Sequence, residues 1–578
     1  MRKILAYLRP YAGGMALGLV IKFIGTIMDL LLPWILAHMI DEVVPTGSKN
    51  AIYLWGLGML LCSGVAVVGN VVANRMASRV SRDATRAIRR DLFAKVSTLS
   101  SRQMDAFTAP SLISRLTSDT YNMNAFLGRI QRLGVRAPIL LLGGVTVTLM
   151  LDVNLSLVLL STLPLLAVGI VVISRRGIPL YGLVREAGDR MVRIVRDNVT
   201  GIRVIKALSR TDYEMRRFAG INAEVSDKET HASTVMAATN PLMNLLLNLG
   251  LTGVIVAGAF LVQQSRTEPG KIIAFLTYFT IILNALLSVN RMFVLYSQAS
   301  TSAARIQEVL DAPEEAEEER EADRIATDDH IRFEDVSFAY SGQGKALSHI
   351  SFSLGRGQTL GVMGATGSGK TTLIQLLQRF YPADEGHIRI SGRDVRSIPA
   401  EELHRMFGVA FQSDAFFADT IYENIDLGRG LPREQIERAA RCAQAAQFIE
   451  ALPDGYGHLL TAKGTNLSGG QRQRLLIARA LAGGPEILIL DDSSSALDYR
   501  TDAALRRALR ESYPDTTTVL IAQRVSTVRR ADRILVLEEG EMLGLGTHEE
   551  LMATCAAYRE TASIQMGGEG DAADARES

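Results

Sequence analysis

The chain has 578 residues, a net charge of +1, 48% apolar residues and a mean hydropathy of +0.15. This length excludes a single compact core. Such hydropathy beside 21% charged residues excludes an ordinary, wholly water-soluble protein and indicates a membrane part joined to a soluble part. The three cysteines, Cys62, Cys442 and Cys555, have neither metal-ligand nor paired spacing, which is typical of reduced structural thiols.

Apolar segments long enough to cross a bilayer, for which about 20 residues are needed, fill the first part of the chain. They predict membrane spans near residues 14–40, 52–75, 133–150, 155–174, 242–264 and 270–294. The first span follows basic residues, as in a signal peptide, but it is too long for one and lacks a small-residue cleavage site. It is therefore predicted to be retained, which gives six spans and places both ends of this region on the same side.

Basic residues indicate which side that is. They are dense between the second and third spans, from Arg79 to Arg132, and between the fourth and fifth, from Arg175 to Arg217. The positive-inside rule places these long loops and both termini in the cytoplasm. Apolar residues at helical spacing in the loops predict that the spans continue as helices below the membrane.

Several polar residues fall inside the predicted spans. Asp29 and Lys22 lie in the first, and Asn240, Asn244 and Asn248 recur every four residues in the fifth. They fit either a polar cavity wall that touches substrate or hydrogen bonding between helices, and the sequence leaves both open.

The composition changes at residue 311. We predict a membrane domain over 1–310, an acidic linker over 311–329, an α/β domain with a largely parallel sheet over 330–565 and a disordered tail over 566–578. Alternating strand and helix patterns carry the α/β prediction.

A phosphate-binding loop is predicted early in the α/β domain, where TLGVMGATGSGKTTLIQLL contains G-x-x-x-x-G-K-[ST] between a strand and a helix. Its glycines let backbone N–H groups turn toward phosphate oxygens, and the helix N-terminus adds its dipole. We expect Lys370 to reach the β- and γ-phosphates of ATP and Thr371 to offer its hydroxyl to Mg²⁺. Asp491, at the end of the apolar strand ILILD, is expected to hold the Mg²⁺ shell. The predicted binding residues here are Gly364, Ala365, Thr366, Gly367, Ser368, Gly369, Lys370, Thr371 and Thr372.

The segment NLSGGQRQRLLIARAL resembles the signature motif of ATP-binding cassette (ABC) transporters. The resemblance covers essentially the whole chain and implies an exporter-type half-transporter. The implied fold is a six-span, type IV exporter-like helical membrane domain followed by an α/β P-loop nucleotide-binding domain. It also implies that the signature residues face ATP held by another subunit, so that two chains form the working unit. Those residues are Ser468, Gly469, Gly470 and Gln471.

Further positions match the family. Tyr340 resembles the aromatic residue that stacks on adenine, and Gln412 resembles the glutamine that contacts Mg²⁺. The segment Ser495–Asp498 resembles the loop that communicates between the two ATPase domains. Ser111–Asp119 and Ser209–Phe218 stand where the family has its coupling helices.

Two positions depart from the family pattern. Asp492 stands where efficient members carry Glu, and Gln523 stands where they carry His. Asp is one methylene shorter, a deficit on the order of the 1.5 Å C–C bond, and positioning a water is intolerant of errors on that scale. Gln can still donate a hydrogen bond but cannot exchange a proton as imidazole does.

These departures resemble the weak-site subunit of heterodimeric ABC exporters, with slow hydrolysis at this chain's own site and an intact signature for the partner's. The alternatives are a homodimeric exporter with slow ATPase and an ATP-gated channel or regulator. The expected substrate is an amphipathic small molecule, lipid or peptide. The protein is expected in a bacterial cytoplasmic membrane, and no nucleic-acid partner is expected. The spans exclude a soluble ABC ATPase, and their fusion to the ATPase disfavours an importer.

Overall fold

The computed structural model describes residues 1–313, 325, 327–340, 344–411, 415–492 and 497–574. The chain forms two compact units. The helical unit contains Met1–Thr98 and Phe107–Ala312, and the α/β unit contains Leu99–Ala106 and Pro313–Ser578. Most of the predicted linker, 311–329, lies outside the described residues. A helix reaches Asp574 where the sequence predicted a disordered tail.

The first eleven helices are α1 (Arg2–Ala6), α2 (Ala12–His38), α3 (Lys49–Ser97), α4 (Ser101–Phe107), α5 (Ala109–Ser114), α6 (Thr120–Leu151), α7 (Val153–Thr200), α8 (Ile202–Ala207), α9 (Thr211–Ala237), α10 (Thr239–Gln263) and α11 (Pro269–Leu310). Among the described residues, 6 helical segments are long and apolar enough to span a membrane, which confirms the predicted number. Helix α3 has 49 residues. At about 1.5 Å per residue it far exceeds the ~30 Å hydrocarbon core, so it continues beyond the bilayer as predicted.

Helices α2 and α3 approach closely at two glycines. A Cβ on Gly25 would lie 3.3 Å from the Ala66 carbonyl oxygen, and one on Gly69 would lie 3.4 Å from the Ile21 carbonyl oxygen. Small residues are what lets helix backbones pack together within a membrane. At the far end of α2, Asp41 accepts hydrogen bonds from the backbone N–H of Gly270 (2.6 Å) and of Lys271 (3.0 Å), and thereby caps the start of α11.

The strands are β1 (Asp329–Ala339), β2 (Lys345–Gly355), β3 (Thr359–Gly364), β4 (Glu385–Ile390), β5 (Arg393–Asp394), β6 (Phe407–Ala410), β7 (Ile487–Asp491), β8 (Thr517–Ile521), β9 (Arg533–Glu538) and β10 (Glu541–Gly546). The helices of this unit are α12 (Lys370–Leu377), α13 (Ala400–Arg405), α14 (Ile421–Asp426), α15 (Arg433–Cys442), α16 (Ala446–Glu450), α17 (Gly469–Ala482), α18 (Tyr499–Ser512), α19 (Val525–Val528), α20 (His548–Thr554) and α21 (Ala556–Asp574).

Two sheets build the α/β unit. The first sheet is antiparallel and has four strands in the order β2-β1-β4-β5. The second has six strands in the order β10-β9-β3-β8-β7-β6 and is parallel except for the β10–β9 pair. The predicted parallel sheet is therefore the second one, and the strands before β3 and around β4 belong to the antiparallel sheet.

Strand β7 lies between two apolar layers. Ile487 and Ile489 pack with residues of β1 and β2, whereas Leu488 and Leu490 pack with residues of α15 and α17. All five residues of β7 are buried. A strand covered on both faces reads as a continuous apolar run, which explains ILILD. Its carboxyl end opens at the edge shared with β3 and β8.

Candidate nucleotide-binding site

The loop between β3 and α12 has the backbone that the glycine pattern requires. Gly369 has φ +98°, and a Cβ there would lie 2.7 Å from the Ala346 carbonyl oxygen. Gly367 has φ +85° with nothing within 4 Å of its Cβ position, so this side of the loop is open. Ala365 and Thr366 are exposed beside it. The loop therefore leaves room for a phosphate group against its backbone.

Lys370 lies folded over this loop. Its Nζ donates to the carbonyl oxygens of Gly364 (2.8 Å) and Ala365 (2.7 Å) and lies 3.5 Å from the Ser368 hydroxyl. Burial lowers the pKa of the Lys370 ammonium, while the carboxylates of Asp491 and Asp492 act to raise it. The Lys370 ammonium, held near loop carbonyls and two acids, can donate charge-assisted hydrogen bonds to the phosphates of a nucleotide. Thr371 is exposed at the next position, and Thr372 is buried.

The order of the parallel strands brings the predicted acidic residues to the same place. Asp491 pairs in register with Ile521 of β8, and the Asp492 N–H donates to the Ile521 carbonyl at 3.0 Å. The Ala522 N–H donates to the Val362 carbonyl of β3 at 3.2 Å. Gln523 is the next residue, so it follows a strand that lies between the phosphate-loop strand and the strand ending in Asp491.

The two acids have different surroundings. Asp491 is only 6% exposed, and burial together with the charge of Asp492 raises the pKa of its carboxyl, against the effect of Lys370. Burial also raises the pKa of Asp492, while Arg524 and Lys370 act to lower it. Asp492 has φ +48°, a left-handed conformation unusual for a residue other than Gly. This conformation turns the chain sharply at the place where Glu is expected in the family.

Tyr340 ends β1 beside α12. Its hydroxyl donates to Gln375 Oε1 at 2.6 Å and lies 3.2 Å from Thr372 Oγ1. Its ring meets that of Tyr381 edge-on, with centroids 5.3 Å apart. The Tyr381 hydroxyl donates to Asp105 Oδ2 at 2.5 Å. The sequence singled out neither Tyr381 nor Asp105, because nothing local links residues 276 positions apart.

The short helices of the two loops after α3 and α7 lie as follows. The loop segment that belongs to the α/β unit is Leu99–Ala106, within which lies most of α4, whereas Ser111–Asp119 belongs to the helical unit. In the second loop the short helix between two long ones is α8, and most of Ser209–Phe218 lies in α9. Ser111–Asp119 overlaps the short helix α5, and the assignment of both segments as coupling helices stays a prediction.

The signature residues begin α17. Ser468 and Gln471 form a reciprocal cap: Ser468 Oγ accepts from the Gln471 N–H at 3.3 Å, and Gln471 Oε1 accepts from the Ser468 N–H at 2.9 Å. Gly469 is exposed, with nothing within 4 Å of its Cβ position. Gly470 is half-buried. This helix N-terminus is therefore ordered by its own cap and open on its outer side.

Three predicted positions lie outside the described residues. These are Gln412 and, in the communicating loop, Ser495 and Ala496. Asp498 is described, and it caps α18 by accepting from the Thr501 N–H at 2.9 Å. Among the described residues no group of three His, Cys, Asp or Glu could hold a metal ion alone. One buried acid and one hydroxyl instead fit Mg²⁺, which keeps waters and takes ligands from bound phosphates.

The helical unit contains a charged cluster on α2, α3 and α6. Asp29 accepts from Arg136 Nη2 at 3.0 Å and from Asn70 Nδ2 at 3.4 Å. Lys22 is 3% exposed, and its Nζ donates to Asn74 at 3.1 Å. Asn240, Asn244 and Asn248 are all exposed on α10.

Comparison with known proteins identifies the family. Residues 15–286 match the ABC transporter transmembrane region family and residues 347–495 match the ABC transporter family. The chain is 35% identical over 573 residues to YfiB, an uncharacterized ABC transporter ATP-binding protein of Bacillus subtilis, covering 99% of both. It is also 30% identical over 562 residues to a multidrug efflux ATP-binding/permease protein of Mycobacterium bovis, covering 47% of that protein.

Among solved structures, the chain is similar to a bacterial Atm1-family ABC exporter with ATP bound. The TM-score is 0.82 at 25% identity, over 97% of this chain and 99% of that one. This likeness spans the helical and α/β units together with the phosphate loop and signature helix described above. The chain therefore belongs to the ABC transporters: it is an exporter-type half-transporter that binds and hydrolyses ATP.

Proposed function

We propose that this chain is the weak-site subunit of a heterodimeric ABC exporter in a bacterial cytoplasmic membrane, with both termini in the cytoplasm. It binds Mg-ATP on its own phosphate loop and hydrolyses it slowly. The Mg²⁺ ion is bound, directly or through its water shell, by Thr371, Asp491 and Gln412. Tyr340 stacks on adenine. Its signature residues complete the faster site on a second, non-identical chain.

The observation that carries this proposal is the identity of the residues at the end of β7 and β8. Asp492, whose charge acts on Lys370, and Gln523 follow the ends of the neighbouring strands β7 and β8, where a longer acid and an imidazole would position and activate water. A carboxylate one methylene short is held on a backbone that is fixed by the bond to Ile521. Shifts on the order of 1 Å cost about 10²-fold in rate. Lys370 and the loop glycines, which bind rather than hydrolyse, are intact.

Exposed apolar residues support a partner chain. In and beside α8, Ile202 is 45% exposed, Val204 61% and Leu208 66%. They lie in a loop whose Arg and Lys content places it in the cytoplasm, where no lipid covers them. Large apolar side chains exposed to water mark a candidate interaction site. A second half-transporter would cover it.

A relative of double length also supports two halves. The multidrug efflux protein from Mycobacterium bovis is matched over 47% of its length by 96% of this chain. Its remaining half has room for a second unit of similar size, so two non-identical halves in one chain are compatible with this architecture.

The charged cluster of Asp29, Arg136 and Lys22 supports an amphipathic substrate. Asn70 Oδ1 and Arg136 Nε are buried there without a hydrogen-bond partner among the described residues. Charged groups within a membrane usually face a cavity or a partner. A substrate with both a polar and an apolar part suits such surroundings.

The test compares ATP turnover by this chain alone with turnover by this chain and a second half-transporter encoded beside it. We expect the pair to exceed the single chain by about 10²-fold, as the positioning argument implies. Full activity of the chain alone would instead establish the homodimer.

The residue argument has its own test in Asp492→Glu combined with Gln523→His. The double change should raise turnover at this chain's own site, with each single change giving part of the gain. Unchanged turnover would contradict the account of the weak site. Vectorial transport in proteoliposomes then distinguishes an exporter from an ATP-gated channel or regulator.

A further inference from the structure

The C-terminal helix holds the loop that carries Gln523. Gln565 on α21 accepts a hydrogen bond from the Val525 N–H at 2.8 Å through its Oε1. The same side chain donates from Nε2 to the Gln523 carbonyl oxygen at 3.0 Å. One amide group therefore fixes the backbone on both sides of Arg524, across 40 residues of sequence.

Helix α21 is itself anchored. Tyr558 and Ala562 are each 1% exposed and pack in the same apolar cluster as Val525 and Val528. Gln565 follows them at helical spacing, on the same face. The Tyr558 hydroxyl also lies 2.8 Å from Nδ1 of His548. Gln565 therefore extends from a firmly packed helix toward the loop.

The loop needs this support because α19 does not cap itself. It has four residues, and its N-cap, Arg524, makes no side-chain capping bond. Val525 is fully buried, so its N–H would otherwise be one of the unpaired donors at a helix start. The amide of Gln565 takes the place of the missing cap.

We propose that Gln565 is a positioning residue: by fixing the backbone of residues 523–525 it sets where the Gln523 side chain stands toward the terminal phosphate of ATP. The C-terminal helix thereby determines how well this chain's own site distinguishes ATP from ADP. The inference rests on the proposed function only for the role of Gln523, and the clamp itself stands on the two hydrogen bonds.

The test uses the full-length assembled transporter in lipid nanodiscs and three variants. Gln565→Met is close in shape but makes neither bond, and Gln565→Glu retains only the acceptor for Val525. Ile564→Ala is the control, because Ile564 is 71% exposed on the next position of the same helix. Hydrogen exchange of the peptide covering residues 523–528 reports the loop. Competition by AMP-PNP or ADP against photolabelling of this chain with azido-ATP reports its nucleotide preference.

We expect Gln565→Met to speed exchange of the peptide about tenfold and to weaken AMP-PNP about fivefold relative to ADP, which is the size expected for loss of one ordinary net hydrogen bond. Gln565→Glu should speed exchange at least as much, because its second carboxylate oxygen repels the Gln523 carbonyl oxygen, and Ile564→Ala should match the wild type. A merely structural role would weaken both nucleotides equally.

Two results would overturn the inference. Unchanged exchange in Gln565→Met removes the clamp. Faster exchange with an unchanged AMP-PNP to ADP ratio removes the positioning role. Neither result depends on whether Asp492→Glu with Gln523→His accelerates turnover, so failure of the weak-site proposal remains a separate outcome.

Discussion

At the scale of single residues, the surroundings of Asp491 and its proposed role as a Mg²⁺ ligand favour opposite protonation states. Burial raises the pKa of its carboxyl, which favours the protonated acid, whereas a Mg²⁺ ligand must be ionised. Lys370 opposes the shift from nearby. In the proposed site, Mg²⁺ would therefore replace a proton that is held more tightly than in an ordinary aspartate.

The pH dependence follows from this sign. As pH falls, Asp491 takes up its proton before carboxyls with the usual pKa of about 3.9 do, so Mg²⁺-dependent ATP binding should weaken at a higher pH than they titrate. The stability of the fold changes with pH in the opposite direction. Because the pKa of Asp491 is higher in the folded than in the unfolded protein, the free energy of unfolding falls as pH rises from the unfolded-state pKa to the folded-state pKa. Fluorescent ATP titrations with and without Mg²⁺ across mildly acidic pH measure the effect.

Asp491→Asn is the control for this prediction. It should remove most of the Mg²⁺ enhancement at neutral pH and flatten the acid limb. An acid limb as steep in Asp491→Asn as in the wild type would assign the titration to another group.

The sequence could predict a site residue where a local motif marks it, but not where its role depends on a partner distant in the chain. Asp491 ends β7, and Lys370 and Thr371 begin α12 a short loop after β3. Because the ends of parallel strands meet at one edge, local pattern was enough to predict that these residues lie near one another. Tyr381 and Gln565 act through partners 276 and 40 positions away. A periodicity argument has no access to such contacts.

At the scale of elements, a single hydrogen bond from the Tyr381 hydroxyl joins the loop after α12 to Asp105 in α4. Tyr381→Phe removes the hydrogen bond to Asp105 and should cost about 1–2 kcal/mol. For a unit of this size the melting transition should fall by about 2–4 °C per kcal/mol. Thermal unfolding of the full-length protein, followed at the transition of the α/β unit, measures it.

Tyr456→Phe is the matched control. The Tyr456 hydroxyl is buried without a hydrogen-bond partner among the described residues, so its loss should leave the transition within about 0.5 kcal/mol of wild type. Equal effects of the two substitutions would show that the Asp105 bond contributes nothing.

The close pairing of α2 and α3 gives a second prediction at this scale. Gly69→Leu places a branched side chain where even a Cβ would lie 3.4 Å from the Ile21 carbonyl, so the helices must separate. We expect a loss of folded protein in membranes corresponding to about 1–3 kcal/mol, as for overpacking. Gly56→Leu, also in α3 but with nothing within 4 Å of its Cβ position, should be neutral. Detergent-resistant yield and melting temperature compare them.

The sequence predicted element types better than element positions. Long apolar runs and the strand–helix alternation indicated the spans and the parallel sheet, because periodicity and length record burial directly. The short helices α4 and α8, of seven and six residues, have too little periodicity to be located from the sequence. The antiparallel pairing of β1, β2 and β4 also required long-range register.

At the scale of the whole molecule, the signature helix should act outside its own chain. Gly469→Asp adds an acid to the first turn of α17, where the helix dipole favours it, and its Cβ position is open. Folding of this chain should therefore be unchanged. A carboxylate facing the partner's γ-phosphate would repel it and should lower ATPase activity of the assembly by at least about tenfold.

Two comparisons check the assignment. Gly469→Ala should have a smaller effect, because it adds bulk without charge. Lys370→Met, which disables this chain's own loop, should reduce turnover of the assembly less than Gly469→Asp does. The reverse order would place the main hydrolysis on this chain and contradict the weak-site proposal.

The inclusion of Leu99–Ala106 in the α/β unit has a consequence for synthesis of the protein. Asp105 leaves the ribosome 276 residues before the tyrosine that donates to it. At about 5–20 residues per second, α4 waits tens of seconds for its partner Tyr381. The membrane helices on either side are inserted in that interval. Assembly of the loop between α3 and α6 is therefore a late event in the life of the nascent chain, and a ribosome stalled before residue 381 would carry this loop without the tyrosine that Asp105 contacts.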